Sequence, residues 1–180
     1  MEGVERDFVL RNLGSPPKRV LDVGVGGCNL ISEIGQIGFE AYGVDVGSCG
    51  GSGKFEFRWE DGRNMSFPDG FFDIVFSLST VEHIGLGWYE GDRVEADGDR
   101  KAVWEMWRVL KIGGVLLLTL PVGVADLRSG RRYDESKLRH LFDGMQFKDF
   151  NISEWWIRDE KNAWVPCSGQ EKILILSQSN

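Results

Sequence analysis

The 180-residue chain is long enough for one domain and short for two, so we expect a single domain over residues 1–180. Its formal net charge of −7 argues against nucleic acid as a partner, because that binding needs clustered Lys and Arg. The most apolar stretch, 115–124, is about half as long as a membrane-spanning helix must be. No signal peptide is visible at the charged N-terminus, and we therefore expect a soluble, cytoplasmic protein without a membrane partner.

The chain alternates between short apolar runs and longer amphipathic segments, which is typical of strand–helix–strand units on a parallel sheet. In chain order we predict a helix over 4–13, a strand over 19–23, a helix over 29–36 with Asn29 as its N-cap, and strands over 40–45, 54–59 and 72–78. The later elements are a helix over 99–110 ended by Gly113-Gly114, a strand over 115–120, a helix over 134–142 with Asp134 as its N-cap, and strands over 145–156 and 172–176. The fold class is therefore α/β, with seven strands, helices on both faces and an antiparallel C-terminal hairpin.

The three cysteines, Cys28, Cys49 and Cys167, are odd in number and lack the close pairing of metal ligands. We expect them to be free thiols in a reducing compartment. The segment from Gly85 to Gly98 is polar and rich in glycine, which predicts a surface loop that buries little and moves as a lid.

The strongest local motif is the run VLDVGVGGC at 20–28, in which a buried strand passes through glycines into a helix. Such a turn brings bare backbone N–H groups close to a ligand. The dinucleotide pattern G-x-G-x-x-G fails at Asn29, which weakens an NAD-dependent enzyme as an alternative. Asp22, two positions before Gly24, suits a positively charged ligand better than two phosphate groups.

Two further acids follow the next two strands. Asp45 ends the second strand, where a carboxylate can accept both hydroxyls of a ribose, although a solvated strand-end acid is the alternative. Asp61, in the run Glu60-Asp61-Gly62 after the third strand, could accept from an adenine amino group. Three acids ending three successive strands beside a glycine turn indicate one ligand along the carboxyl ends of the strands.

Over nearly its whole length the chain resembles the class I S-adenosylmethionine-dependent methyltransferases, which have a Rossmann-like fold. The matching stretches are VLDVGVGGC (20–28), GVD (43–45), EDGRNMSFPDGFFDIVFSLSTVEHIG (60–85) and RVLKIGGVLLLTLP (108–121). The resemblance implies S-adenosylmethionine as cofactor. The residues that it implies for the cofactor site are Asp22, Gly24, Gly26, Asp45, Asp61, Gly62 and Ser77.

Two departures accompany this resemblance. Cys28 stands where the family has the last glycine of the turn, and 46–53 leaves only eight residues where the family has a helix between strands two and three. We expect that helix to be missing or very short. A narrower similarity, carried by SLSTVEHIGLGWY and DGDRKAVWEMWRVLK, is to small methyltransferase-like proteins associated with surface polysaccharide and sugar modification.

A hydroxyl acceptor needs a base, and His83, placed after the fourth strand, is the candidate. The alternative is that His83 only shapes its loop. Glu82 could orient His83, accept hydrogen bonds from the acceptor, or be an acid at a helix N-terminus. Carboxylates in the 85–98 loop could hold a cation, but charge runs in loops are usually solvated, and we predict no metal. His140 is expected to be structural.

The sequence thus favours an enzyme that methylates a hydroxyl of a small-molecule acceptor, such as a sugar or glycan. A catalytically silent cofactor-binding module, or a methyltransferase acting on RNA or protein, remains the alternative. The run Ser77-Leu78-Ser79-Thr80 is unlike the Asp/Asn-Pro-Pro-Tyr motif of enzymes that methylate base amines. Nothing in the sequence specifies the oligomeric state.

Overall fold

The computed structural model describes residues 2–51, 53–121, 130–158, 164–166 and 171–178. The helices are α1 (Glu2–Asn12), α2 (Asn29–Gln36), α3 (Gly98–Val109) and α4 (Glu135–Leu141). The strands are β1 (Arg19–Val23), β2 (Glu40–Asp45), β3 (Glu56–Trp59), β4 (Phe72–Leu78), β5 (Leu110–Pro121), β6 (Phe147–Arg158), β7 (Trp164–Pro166) and β8 (Glu171–Gln178).

The strands form one sheet in the order β3-β2-β1-β4-β5-β8-β6-β7. The first five run parallel, which confirms the predicted α/β architecture. Strand β8 pairs antiparallel with β5 and with β6. The described residues contain eight strands where the sequence predicts seven, because three residues pair with β6 to form β7 at the sheet edge.

The helices cover both faces of the sheet, and successive residues of the buried strands point to opposite faces. Leu21, Val75 and Leu116 pack in one core with residues of α3 and α4. Val20 and Ile74 pack in the other core with residues of α1 and α2. Both cores come from buried strands, and the strand ends are left for polar groups.

The junction between α3 and β5 differs from the prediction. Gly113 and Gly114 do not end the helix: α3 ends at Val109, and Leu110 is already extended and opposite Phe72. The cause is a tertiary contact: the N–H groups of Gly70 and Phe71 donate to the carbonyl groups of Arg108 and Val109. The last carbonyl groups of α3 thus have partners from another segment, and the helix ends there.

The start of α2 also differs. Its N-cap is Cys28 rather than Asn29, with φ of 63° and no hydrogen bond from the side chain to the helix.

Between β2 and β3, residues 46–51 and 53–55 form no helix. This connection returns over the glycine turn and places Cys49 beside Cys28, with their Cα atoms 6.0 Å apart and their sulfur atoms joined in a disulfide.

The disulfide corrects the prediction that these two cysteines are free thiols, since their sequence spacing gave no sign of their proximity. Cys167 lies outside the described residues. Within the described ranges, no helix has both the length and the apolar character needed to cross a bilayer.

Candidate functional site

A cavity of about 320 Å³ opens at the carboxyl ends of β1, β2, β3 and β4. Six of the residues predicted for the site line it: Gly24, Gly26, Asp45, Asp61, Gly62 and His83. Asp22, Ser77 and Glu82 are not among its lining residues. Its other lining residues include Ser79, next to the predicted Ser77, and Thr80, Tyr89 and Asp92, which the sequence did not assign to the cofactor site. We call this space the first cavity.

The glycine turn forms one wall of the first cavity. At Gly24, φ is +88° and an added Cβ would lie 2.3 Å from Cγ2 of Thr80, so no other residue fits there. At Gly26, φ is +49° and an added Cβ would meet nothing within 4 Å. Gly24 therefore lets the turn pack against Thr80, just after β4, and Gly26 leaves open space for a ligand to approach the backbone.

Asp45 is held in place by the same turn. Its Oδ2 accepts from the N–H of Gly26 at 3.1 Å, and its Oδ1 accepts from the N–H of Gly47 at 2.8 Å. A carboxylate oxygen can accept more than one hydrogen bond, so both oxygens keep capacity for a ligand. The predicted ribose acid is thus present with a fixed orientation.

Asp61 has a partner that the sequence analysis did not predict. The guanidinium of Arg63 donates from Nη2 to Oδ2 at 2.7 Å and from Nε to Oδ1 at 2.9 Å. Burial would raise the pKa of Asp61, but the hydrogen bonds and charge of Arg63 outweigh it and lower the pKa. The carboxylate lining the first cavity is therefore ionised and paired.

Asp22 lies behind the glycine turn and is only 5% exposed. Burial, and then the nearby charge of Asp45, raise its pKa well above the ordinary range. A positive charge placed beside Asp22 would favour its ionised form. The predicted role as partner of a cationic ligand therefore depends on a proton leaving this carboxyl group.

Ser77 is fully buried, and its hydroxyl group donates to the carbonyl of Val23 at 2.8 Å. It therefore links β4 to β1 beneath the cavity. Because β4 ends at Leu78, the residues that follow the strand reach the ligand side. Ser79, with φ of 47°, donates its backbone N–H to Oγ1 of Thr119 at 2.8 Å and its hydroxyl group to Oε1 of Glu5 in α1 at 2.8 Å.

His83 lines the first cavity from the segment that follows β4, with its ring 5.7 Å from that of Trp88 and 5.8 Å from that of Tyr89. Burial and then the charge of Arg131 lower the pKa of His83, so the imidazole is neutral near neutral pH. Its Nδ1 is buried and has no hydrogen-bond partner in the described part of the chain. The neutral imidazole suits a general base.

Glu82 is 4% exposed, and its Oε1 lies 3.8 Å from Nε2 of His83. This distance is too long for a hydrogen bond, so the carboxylate does not orient the imidazole in that way. The carbonyl of Glu82 instead accepts from the N–H of Arg131 at 3.0 Å. The contact joins the segment after β4 to the segment before α4.

The loop from Gly85 to Gly98 is more firmly held than the sequence predicts. Asp92, with its side chain 5% exposed, accepts from the N–H of Gly85 at 2.9 Å and of Gly87 at 2.8 Å. Its Oδ1 also lies 3.1 Å from Nη2 of Arg63. A buried carboxylate therefore organises the loop, and the described residues contain no group of three or more side chains that could hold a metal ion.

Residues 61–156 match the family described as Caenorhabditis protein of unknown function, DUF268, and this range is more than half of the chain. The chain belongs to the DUF268 family. The matched range of this DUF268 chain starts at Asp61 and includes His83 and the whole 85–98 loop, but not the glycine turn.

Two curated relatives have methyltransferase names. The DUF268 chain is 27% identical over 113 residues to phosphoethanolamine N-methyltransferase of Plasmodium falciparum, which covers 56% of this chain and 38% of that protein. It is 26% identical over 89 residues to ubiquinone biosynthesis O-methyltransferase of Nitrosococcus oceani, which covers 43% of this chain and again 38% of that protein. The matches thus span less than two fifths of either relative.

A solved structure similar to the DUF268 chain is that of 1,6-didemethyltoxoflavin-N1-methyltransferase from Burkholderia thailandensis, with bound 1,6-didemethyltoxoflavin and S-adenosylhomocysteine. The TM-score is 0.71 at 13% identity, and the match covers 97% of this chain and 76% of that chain. At this identity the likeness shows the fold. The DUF268 chain therefore has the class I S-adenosylmethionine-dependent methyltransferase fold that the sequence predicts.

Proposed function

We propose that this DUF268 chain is an S-adenosylmethionine-dependent methyltransferase that methylates a hydroxyl group of a small molecule such as a sugar. The observation that carries the proposal is the first cavity, where the glycine turn, Asp45 and Asp61 share one space with His83. The similar structure with S-adenosylhomocysteine bound and the names of the two curated relatives support the cofactor.

The residues of the first cavity fit this cofactor. The open side of Gly26 gives backbone access for the methionine part, and both oxygens of Asp45 can accept from the ribose hydroxyls. Asp61 can accept from the adenine amino group while Arg63 keeps it ionised. The ammonium or sulfonium charge would stabilise the ionised form of Asp22, which is costly to bury without a partner.

When bound, S-adenosylmethionine supplies a methyl carbon whose bond to sulfur breaks, with its electron pair going to sulfur, as the acceptor oxygen forms the new C–O bond. The chain's own contribution is to align the acceptor and to receive the hydroxyl proton. His83 can receive it because its lowered pKa leaves the imidazole neutral. The proton then passes to water. A hydroxyl acceptor needs a base, so the presence of His83 beside the cavity favours such an acceptor.

Calorimetry with S-adenosylhomocysteine tests the cofactor assignment. We expect Asp45→Ala to weaken binding at least about tenfold, because charge-assisted hydrogen bonds to the ribose are lost. Asp69→Ala is the matched control, since that carboxylate is 83% exposed and precedes the amino end of β4, whereas the first cavity lies at the carboxyl ends of the strands. Equal affinity of both variants, with the Asp45 variant folded, would reject the assignment. Binding without methyl transfer to any hydroxyl acceptor would favour the silent module.

A further inference from the structure

A second cavity, of about 310 Å³, lies next to His83. Its described lining includes Trp88, whose ring is 5.7 Å from that of His83, and Gly130. An added Cβ at Gly130, where φ is +104°, would lie 3.0 Å from Cε1 and 3.1 Å from Nδ1 of His83. His83 is therefore a lining residue of the first cavity and a direct neighbour of the second.

The wall of the second cavity is cationic although the chain carries a net charge of −7. Arg100, Arg131, Arg132 and Lys137 line it, against the two carboxylates of Asp97 and Asp99. His140 also lines the cavity and is exposed, which differs from the structural role expected from the sequence. An excess of positive charge around a concave space favours an anionic occupant.

The carboxylate of Asp99 is already engaged within the wall. Its Oδ2 accepts from the hydroxyl group of Tyr133 at 2.9 Å and lies 3.5 Å from Nε of Arg131. Its Oδ1 accepts from the N–H of Arg100 at 2.9 Å. Asp99 and Arg131 therefore offset each other within the wall, and the remaining charges of the described lining are those of Arg100, Arg132 and Lys137 against Asp97.

Arg100 has unused donor capacity. Its Nε is buried and has no hydrogen-bond partner among the described residues. A buried donor of a charged group without a partner is costly, so Arg100 keeps an unmet hydrogen-bonding requirement beside the second cavity. The exposed face of Trp88, 46% accessible, adds a flat apolar surface on which a ring can pack.

We propose that the second cavity binds the methyl acceptor through an oxyanion, either a phosphate or a carboxylate group, and presents its hydroxyl group to His83. This inference rests on the proposed function, because it takes the occupant of the cavity to be the methyl acceptor. Anion binding itself can be measured without cofactor or turnover. It narrows the substrate class from small hydroxyl compounds to anionic ones, in which the charged group anchors the molecule beside Trp88.

The chain has only two histidines, so their imidazole resonances report on the two cavities separately. We would titrate the full chain with sodium phosphate and, in a second arm, with sodium acetate, at constant ionic strength set by sodium chloride. We expect a saturable shift of the His140 resonance with one of the two anions, which identifies the anchoring group. The double variant Arg132→Gln/Lys137→Gln should bind that anion about tenfold more weakly.

Arg139→Gln is the matched control, because this arginine is on the same helix, pairs with Glu135, and is 78% exposed outside the cavity. It should bind the anion as the wild type does. A His140 shift that does not saturate with either anion, or that persists unchanged in the double variant, overturns the proposal. If the anion binds but S-adenosylhomocysteine does not, the cofactor assignment fails and the proposed anion site is supported. If S-adenosylhomocysteine binds but neither anion does, the anion site fails and the cofactor assignment is supported.

Discussion

The guanidinium of Arg63 donates hydrogen bonds to both oxygens of Asp61, and its Nη2 also lies 3.1 Å from Oδ1 of Asp92. The side chain of Arg63 is only 6% exposed, and its Nη1 also donates to the carbonyl of Arg93 at 2.7 Å. One buried cation thus connects the acid proposed to hold adenine with the loop that follows β4. The contact therefore couples Asp61 to the 85–98 loop, and both border the first cavity.

Replacing Arg63 by Ala should lower the free energy of unfolding by about 1–3 kcal/mol, because buried hydrogen-bonding groups lose their partner. The loss should shrink at acid pH. The pKa of Asp61 is lowered in the folded chain, so the stabilisation is present above its unfolded pKa of about 3.9 and disappears as pH falls through the folded value. Urea denaturation at pH 7 and pH 3 measures this, with exposed Arg139→Ala as control; equal losses at both pH values would contradict it.

Asp22→Asn should stabilise the ligand-free chain at neutral pH. Because burial and then Asp45 raise the pKa of Asp22 in the folded state, the unfolded chain releases this proton at lower pH, from about 3.9 upward. The wild-type free energy of unfolding therefore falls as pH rises from there toward the folded pKa, and the variant lacks this contribution. Urea denaturation over that range checks it; identical pH slopes in variant and wild type would show that Asp22 has no such shift.

Much of the fold could be predicted because its signals are local. Strands β1, β2 and β4 begin and end where the apolar runs do, and Asp134 is the N-cap of α4, accepting from the N–H of Lys137. The errors lie where distant contacts decide the outcome. The end of α3 depends on N–H groups from the turn before β4, which no local pattern contains.

The candidate site shows the same division. Asp45 and Gly26 were predictable because parallel strands end at one edge of the sheet. Ser77 does not line the first cavity, because its hydroxyl group points toward the neighbouring strand and donates to the carbonyl of Val23. The Arg63–Asp61 pair could have been suspected from their spacing of two residues, but its burial depends on the returning 85–98 loop.

The amides of Gly85 and Gly87 should exchange slowly with solvent even without ligand. Both donate to Asp92, whose side chain is 5% exposed, so the loop is organised before any acceptor arrives. Asp92→Ala should accelerate exchange at both amides, whereas Glu90→Ala, at an exposed position of the same loop, should leave it unchanged. Hydrogen exchange followed by NMR measures this. Fast exchange in the wild type would restore the weakly held lid predicted from the sequence.

The Cys28–Cys49 disulfide makes a simple prediction about thiol content. The chain has three cysteines, so one thiol should titrate under non-reducing conditions in denaturant and three after reduction. Closing a loop of 21 residues should contribute about 3 kcal/mol to stability, which the double variant Cys28→Ser/Cys49→Ser would lose. Three thiols in the unreduced protein would return these cysteines to the free state expected from the sequence.

His83 provides the sharpest test of the chemistry. Replacing a positioned base lowers turnover by about a hundredfold or more, so His83→Ala should do so once an acceptor is found. Binding of S-adenosylhomocysteine, measured by calorimetry, should stay within about twofold, because the cofactor contacts are assigned to the glycine turn and the acids. Arg139→Ala is the control, since this exposed arginine lines neither cavity and its replacement should leave turnover at the wild-type rate.

The pH dependence separates a base from a residue that only shapes the loop. A general base must be neutral, and burial followed by Arg131 lowers the pKa of His83, so wild-type turnover should stay level through neutral pH and fall only below about 6.5. The acid limb should move upward in Arg131→Gln, where the repelling charge is removed, and vanish in His83→Ala. If His83 only shaped the loop, its replacement by Ala would reduce turnover by the same factor at every pH. An acid limb retained in His83→Ala would assign the proton to another group.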